Sequence, residues 1–288
     1  NNLQEGIEQY ADLGWGPQPV RYIYISRSVA KGFAVRADSD IYTFDDLKGK
    51  RVAYMGSYPP IREINSTILS FGGLTWDDVV PIEYGDVVET YNAVLQQRID
   101  TTMFNVIASK TLELEAVHGI RWLEMPAEDE EGWARAHAYN PIYLPIKSER
   151  GAGISKEEPV ELLTEGYPLF FAYNYLDDDI AYWITRAIVE AKDYYVKRDP
   201  FMEDDWSVEA FLSFWDNDKV PMHDGSIRYL KELGYWTPER EQENQNRLER
   251  QKGLKNTWDE ALMEAEELKI TPAKFSEFWL EKRAKAGF

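Results

Sequence analysis

An α/β fold in two domains is predicted by three features of the sequence. Apolar strand-like stretches alternate with helical ones from Arg51 to Met125, and the alternation stops at Pro126, where charge, proline and glycine mix without period. The chain is also long for one domain: 288 residues, 44% of them hydrophobic and 14% aromatic, can fill two sizeable cores.

Each element follows from local pattern. Arg21 to Arg36 holds two runs rich in β-branched and aromatic residues, split by a short polar stretch, and reads as two strands. Asp45-Asp46-Leu47 is a helical turn stopped by Gly49, Arg51 to Met55 is a strand, and Gly56 to Pro60 is a turn feeding a helix that ends at Gly72-Gly73. The unit then repeats: strand Val79 to Tyr84, helix Asp86 to Gln97, strand Ile99 to Asn105, helix Ser109 to Val117, strand Ile120 to Met125. Such alternation predicts a mainly parallel sheet with helices on both faces. Pro126 to Pro168 reads as an irregular excursion carrying one short helix around Gly132 to Ala138. Leu169 to Tyr173 is an aromatic strand, and Asp177 to Lys197 is a helix capped by Asp177 or Asp178, with Ile180, Trp183, Ile184 and Ala187 on one face. From Asp204 onward the chain is helical and charged, and Trp258, Leu262, Phe278 and Trp279 require burial, most simply by bracing the first domain.

Charge narrows the partners. With 51 Asp+Glu against 32 Lys+Arg, a formal charge of −19 repels phosphate backbones and anionic headgroups, which argues against nucleic acid and against direct membrane insertion. The absence of cysteine excludes disulfides, thiolate zinc sites and cysteine nucleophiles. No apolar run is long enough to span a bilayer, and the opening NNLQEGIEQY is polar, so a signal peptide is expected to be absent from this sequence.

Catalytic patterns are missing. His118, His137 and His223 lie in separate segments without zinc spacing, no HExxH, GxSxG or GxxxxGK[ST] occurs, and Arg150-Gly151-Ala152-Gly153 reads as a turn. Neither metal nor cofactor nor catalytic residue is expected, and the protein reads as a non-enzyme. The feature that stands out is Gly56-Ser57-Tyr58-Pro59-Pro60 between a strand and a helix. Ligands in open α/β sheets bind at the carboxyl ends of strands, where a helix start favours anions. Ser57 brings a hydroxyl, Tyr58 an aromatic wall, and Arg62 a guanidinium able to clamp a carboxylate. An ordinary strand-to-helix turn with proline in the first helical turn explains the same residues. Phe104 and Asn105 repeat the situation at the end of the third strand.

From Arg21 to Tyr235 these segments resemble the TAXI-type substrate-binding proteins of TRAP transporters. The resemblance rests on FAVRADSDIYTFDDLKGKRVAYMGS, QQRIDTTMFNV, GYPLFFAYNYLDDDIAYWITRAI and VPMHDGSIRYLKELGYW, in that order and spacing. It implies a bilobed, periplasmic-binding-protein-like fold: two α/β domains joined by hinge strands, closing over a ligand in the cleft between them, with C-terminal helices added. Lys31 to Arg36 and Leu169 to Tyr173 resemble the hinge strands, so that residues 1–36 and 167–288 form the first lobe and 37–166 the second. The family's ligand contacts carry over to Gly56, Ser57, Tyr58, Phe104 and Asn105; Arg62 is added from charge and position, and Arg150 and Tyr173 from their places near the excursion and hinge. The expected function is periplasmic capture of a small organic anion, a carboxylate or amino acid, for the membrane subunits of a TRAP transporter.

Two departures qualify that expectation. Family members begin with a strand, a Gly-rich loop and a helix, and this sequence starts after that unit, so the first lobe is expected to lack it. GSYPP also replaces a loop of small residues, which points to a ligand other than the usual amino acids and dicarboxylates. A binding subunit of an ATP-driven importer or a sensor is the alternative of the same fold. A carboxylate-dependent glycoside hydrolase is the alternative from another class, and it requires two acidic groups facing each other across a cleft.

Overall fold

The computed structural model describes residues 2–288. The chain divides into two compact units: unit 1 holds the residues through Ser26 together with Tyr167–Phe288, and unit 2 is the continuous stretch Arg27–Gly166. In chain order, helix α1 (Asn2–Glu5) and strand β1 (Val20–Arg27) open unit 1. Unit 2 follows with β2 (Lys31–Arg36), β3 (Arg51–Tyr54), α2 (Pro59–Phe71), β4 (Val80–Glu83), α3 (Val87–Leu95), β5 (Thr102–Asn105), α4 (Ser109–His118) and β6 (Ile120–Trp122). It ends with α5 (Glu130–Tyr139), β7 (Leu144–Ser148) and β8 (Val160–Thr164). Unit 1 resumes with β9 (Gly166–Tyr173), α6 (Asp178–Glu190), α7 (Lys192–Val196), α8 (Met202–Asp205), α9 (Val208–Asp216) and α10 (Asp224–Glu232), and finishes with α11 (Pro238–Glu267) and α12 (Pro272–Lys285).

The sheet of unit 2 is mixed and mostly antiparallel, which corrects the expected parallel sheet. The repeating strand and helix units do lie parallel, β3 beside β4 from Arg51↔Val80 to Tyr54↔Glu83, and β3 touches β5 through the parallel bridge Val52↔Thr101. But β2 inserts from the amino-terminal side and runs opposite to its neighbours. It pairs antiparallel with β5, β6 and β8, and β8 with β7. Sequence alternation reports only consecutive strands, and β2 is partnered by strands far along the chain. Where β3 and β5 share a single bridge, buried Asn65 of α2 completes the join: its Nδ2 donates to Ala53 O at 3.0 Å and its Oδ1 accepts from Met103 N at 3.0 Å. Neighbouring residues of each strand point to opposite faces, so Phe33, Val52 and Leu163 enter one core while Ala34, Ala53 and Leu162 enter a second.

Two further expectations change here. Lys31–Arg36, read as a hinge strand closing the first lobe at residue 36, is the best-connected strand of unit 2, and the division falls between Ser26 and Arg27. The Pro126 to Pro168 excursion contains the hairpin-like pair β7 and β8 in addition to its helix. Both strands are five residues long with partly exposed faces, too short for a period-2 signal to emerge from the surrounding charge.

Unit 1 is built on β1 paired with β9, with β1 also bridged in parallel through Tyr22↔Met222. Along β9, Tyr167, Leu169 and Phe171 are exposed and alternate with half-buried neighbours. Asp177 caps α6, its Oδ1 accepting from Asp179 N at 2.9 Å and Ile180 N at 3.3 Å, and the expected single helix breaks at Ala191 into α6 and α7. α6 packs against α10 at backbone distance. A Cβ at Gly225 would stand 2.0 Å from Asp178 O, and Thr185 Oγ1 and Ser226 Oγ bond across the contact at 2.8 Å. The C-terminal helices α11 and α12 close over the amino-terminal segment of the same unit. Trp258 packs edge-on to Trp279 with centroids 4.8 Å apart, and Trp279 Nε1 donates to Gly6 O at 2.6 Å. Gly16, at φ +67°, leaves room for the Trp258 indole, which a Cβ there would meet at 2.3 Å. No helix among the described residues is long and apolar enough to cross a membrane.

Candidate functional site

The pairings of unit 2 assemble one row of strand ends. The parallel register Val52↔Thr101, carried past the end of β3, sets Gly56 level with Asn105. Asn105 pairs with Lys31 at the start of β2, and Lys31 with Leu163 near the end of β8. Gly56, Asn105 and Lys31, with Glu165 just past β8, therefore come to one end of the sheet although up to 134 positions separate them.

The GSYPP turn is held by its own backbone and by a carboxylate. Tyr58 N donates to Met55 O at 3.1 Å, Arg62 Nη1 to Gly56 O at 3.4 Å, and Gly56 N donates to Glu83 Oε1 at 3.0 Å. Tyr58 is the N-cap of α2 and supplies no side-chain cap, and Pro59 and Pro60 occupy its first turn. Because proline has no N–H, the helix start is poorer in donors than the sequence reading assumed. What remains open is polar side chain: Ser57 Oγ, the Tyr58 hydroxyl and Asn105 Nδ2 make no hydrogen bond among the described residues, and Ser57 and Tyr58 are exposed. Asn105 Oδ1 accepts from Ile107 N at 3.0 Å and its carbonyl accepts from Thr111 Oγ1 at 2.7 Å, which fixes the side chain at the strand end.

The remaining residues singled out from sequence fall in different surroundings. Phe104 is fully buried and stacked on Tyr91, centroids 4.5 Å apart and planes 19° from parallel, so it belongs to the core and offers a ligand no surface. The correction follows from pleating: residues 104 and 105 point to opposite faces, and only one can look outward. Arg150 accepts from Ser148 Oγ at its carbonyl, 2.9 Å, and the turn behind it reaches β5, Ala152 N donating to Val106 O at 2.8 Å. Tyr173 lies in unit 1, its ring stacked on Tyr175 at 5.4 Å.

Sequence reasoning missed Lys31, Glu165 and Glu83. Lys31 is 8% exposed and ion-paired with Glu165, and the pair stands beside Asn105 on the same row. Nearby, burial pushes the Tyr143 phenol up, with Glu165 and Glu63 adding to the shift. A lysine opening a strand normally reads as solvated, and its partner lies too far along the chain for any spacing rule to join them. His118 and His137 bond to the carbonyls of Leu95 and Tyr143, and no group of three or more His, Cys, Asp or Glu is placed to hold a metal among the described residues.

Residues 16–234 match the NMT1-like family. The chain is a member of that family. No curated protein matches it. Among solved structures, this NMT1-like chain is similar to the periplasmic aliphatic sulphonate binding protein SsuA from Escherichia coli, with 14% identity and TM-score 0.39, covering 85% of this chain and 65% of that one. It is also similar to the alkanesulfonate-binding protein SsuA from Xanthomonas axonopodis pv. citri bound to MOPS, at 14% identity and TM-score 0.33, with 80% and 60% covered. A third similar structure is a probable amino-acid ABC transporter extracellular-binding protein from Bacillus subtilis, at 13% identity and TM-score 0.35, with 64% of each chain covered. The NMT1-like chain thus spans less than two thirds of the length of each of these proteins.

Proposed function

We propose that this protein is an extracytoplasmic solute-binding protein that holds a small organic anion at the strand ends of unit 2 and delivers it to a membrane transporter. The observation that carries the reading is the row Gly56, Asn105 and Lys31, with the unbonded donors of Ser57, Tyr58 and Asn105 on it. Gly56 N–H already receives a carboxylate, that of Glu83, so the turn is suited to such a group, and a ligand carboxylate would take the same donor in exchange. The hydrolase alternative finds no support there: both carboxylates of the row, Glu83 and Glu165, are engaged, by the Gly56 N–H and by Lys31. No bond-breaking step is assigned.

The TAXI-type resemblance makes the membrane subunits of a TRAP transporter the finer reading of the partner, and a periplasmic setting follows from it. Thermal-shift screening of carboxylates, amino acids and sulfonates, followed by calorimetry, tests the ligand class. Saturable binding of an anion that is lost in Asn105→Ala and Arg62→Ala is expected, and stabilisation by neutral or cationic compounds alone would overturn the assignment. Uptake in vesicles separates the partners: dependence on an ion gradient supports the TRAP reading, and dependence on ATP replaces it.

A further inference from the structure

A cavity lies wholly within unit 1, at the end of β1 farthest from the crossing into unit 2. It has a volume of about 360 Å³, near the lower limit for small-molecule sites, and lies between the Pro17 to Arg21 segment and one stripe of α11. Leu248, Gln251, Lys252, Lys255 and Asn256 recur at the three- and four-residue spacing of one helix face and all line it. α11 carries nine acidic side chains, and none of them lines the cavity, although Asp259 continues the stripe one turn on. No Asp or Glu lines the cavity at all, in a chain of net charge −19.

Two of the three cations there, Arg21 and Lys252, form no ion pair among the described residues. Arg21 is half-buried and forms no ion pair among the described residues. Its Nη1 donates to Val20 O at 2.9 Å and to Gln251 Oε1, while Nε and Nη2, the edge that grips an oxyanion with two parallel bonds, make no hydrogen bond. Lys252 likewise has no ion-pair or hydrogen-bond partner among the described residues, and Lys255 is paired with Asp259. Gln251 holds Arg21 in place and is itself held, its Nε2 donating to Gln4 Oε1 at 3.0 Å and Val20 O at 3.3 Å. Burial lowers the Arg21 pKa from its ordinary value, and Asp224, beyond ion-pair distance, opposes that shift only in part. Arg21 and Lys252, with no carboxylate at ion-pair distance among the described residues, leave that place to a ligand.

We propose that this cavity is a binding site for a small dianion, such as a dicarboxylate or a phosphate ester, with one oxyanion group on the Nε and Nη2 edge of Arg21 and the second on Lys252 and Lys255. Pro17, Pro19 and Leu248 supply the apolar wall against which a short carbon chain would lie. The site is separate from the strand-end row of unit 2 and does not depend on the function proposed for that row.

The test is calorimetric titration of the full chain with succinate, inorganic phosphate and neutral succinamide, each at matched ionic strength. Lys252→Gln/Lys255→Gln is the main variant, because exposed helix positions tolerate the change without loss of fold. Saturable binding of succinate or phosphate, absent for succinamide, weakened tenfold or more in the double variant and unchanged in Arg62→Ala/Asn105→Ala, is the expected result. Binding that is unaffected by the double variant, that disappears in Arg62→Ala/Asn105→Ala, or that is reproduced by sodium chloride overturns the proposal.

Discussion

Arg250 meets Glu5 with both arms of its guanidinium, Nη1 to Oε1 at 2.6 Å and Nη2 to Oε2 at 2.8 Å, across 245 positions of sequence. Arg283 of α12 bonds the same carboxylate. Burial alone would raise the Glu5 pKa, but the two arginines outweigh it and hold the carboxyl at about 2. The depressed value means that this contribution to stability is complete above about 4.5 and is lost as pH falls from there towards 2. Glu5→Gln strands two guanidinium groups and is expected to cost about 3 kcal/mol at neutral pH. In urea unfolding, the gap between wild type and Glu5→Gln should narrow between pH 5 and pH 3; a constant gap would contradict the role given to this carboxylate.

His223 gives unit 1 a second, different pH response. It is 2% exposed and caps α10 by accepting from Gly225 N at its Nδ1. Burial lowers its pKa below the ordinary 6.5, with Asp178 and Asp224 opposing. The unfolded chain therefore takes up a proton before the folded one does, and stability is expected to fall as pH drops below about 6.5. His223→Asn keeps a capping acceptor and removes the titration. Melting temperatures measured from pH 8 to pH 5 should show a shallower acid slope in the variant.

The stacked pair Phe104 and Tyr91 separates core from site. Phe104→Ala should destabilise unit 2 by roughly 3–5 kcal/mol, whereas Phe104→Leu should keep ligand affinity within about twofold because the side chain is buried in the core. A large affinity loss in the leucine variant with the fold intact would restore Phe104 to the binding surface.

Glu83→Gln removes the carboxylate that competes for the Gly56 N–H. Affinity for an anionic ligand is expected to rise several-fold, most strongly at low salt, as a like charge is withdrawn. Calorimetry showing weaker binding would mean that Glu83 supports the ligand instead.

Local chemistry was legible in the sequence where the partner is local. The Asp177 cap, the GSYPP turn and the helices on either side of β4 all follow from residues within a few positions. What could not be read depends on distant strands. Lys31 gains its meaning from Glu165 and Asn105, and the direction of β2 is set by β5, β6 and β8, none of which is its neighbour in sequence. Phe104 was misplaced for a subtler reason: the strand end was right, but pleating assigns residue 105 outward and residue 104 inward.

The division of the chain also orders events during its synthesis. β1 leaves the ribosome early, yet its ladder partner β9 emerges only after all of Arg27–Gly166 has been made, seconds to tens of seconds later at roughly 5–20 residues per second. Unit 2 has every strand it needs in one uninterrupted stretch, and its two ends already bond to each other, Ser28 N to Glu165 O at 2.9 Å. It can close as a finished loop while the β1 segment waits, and Glu5 meets Arg250 and Gly6 meets Trp279 only once α11 and α12 have been made.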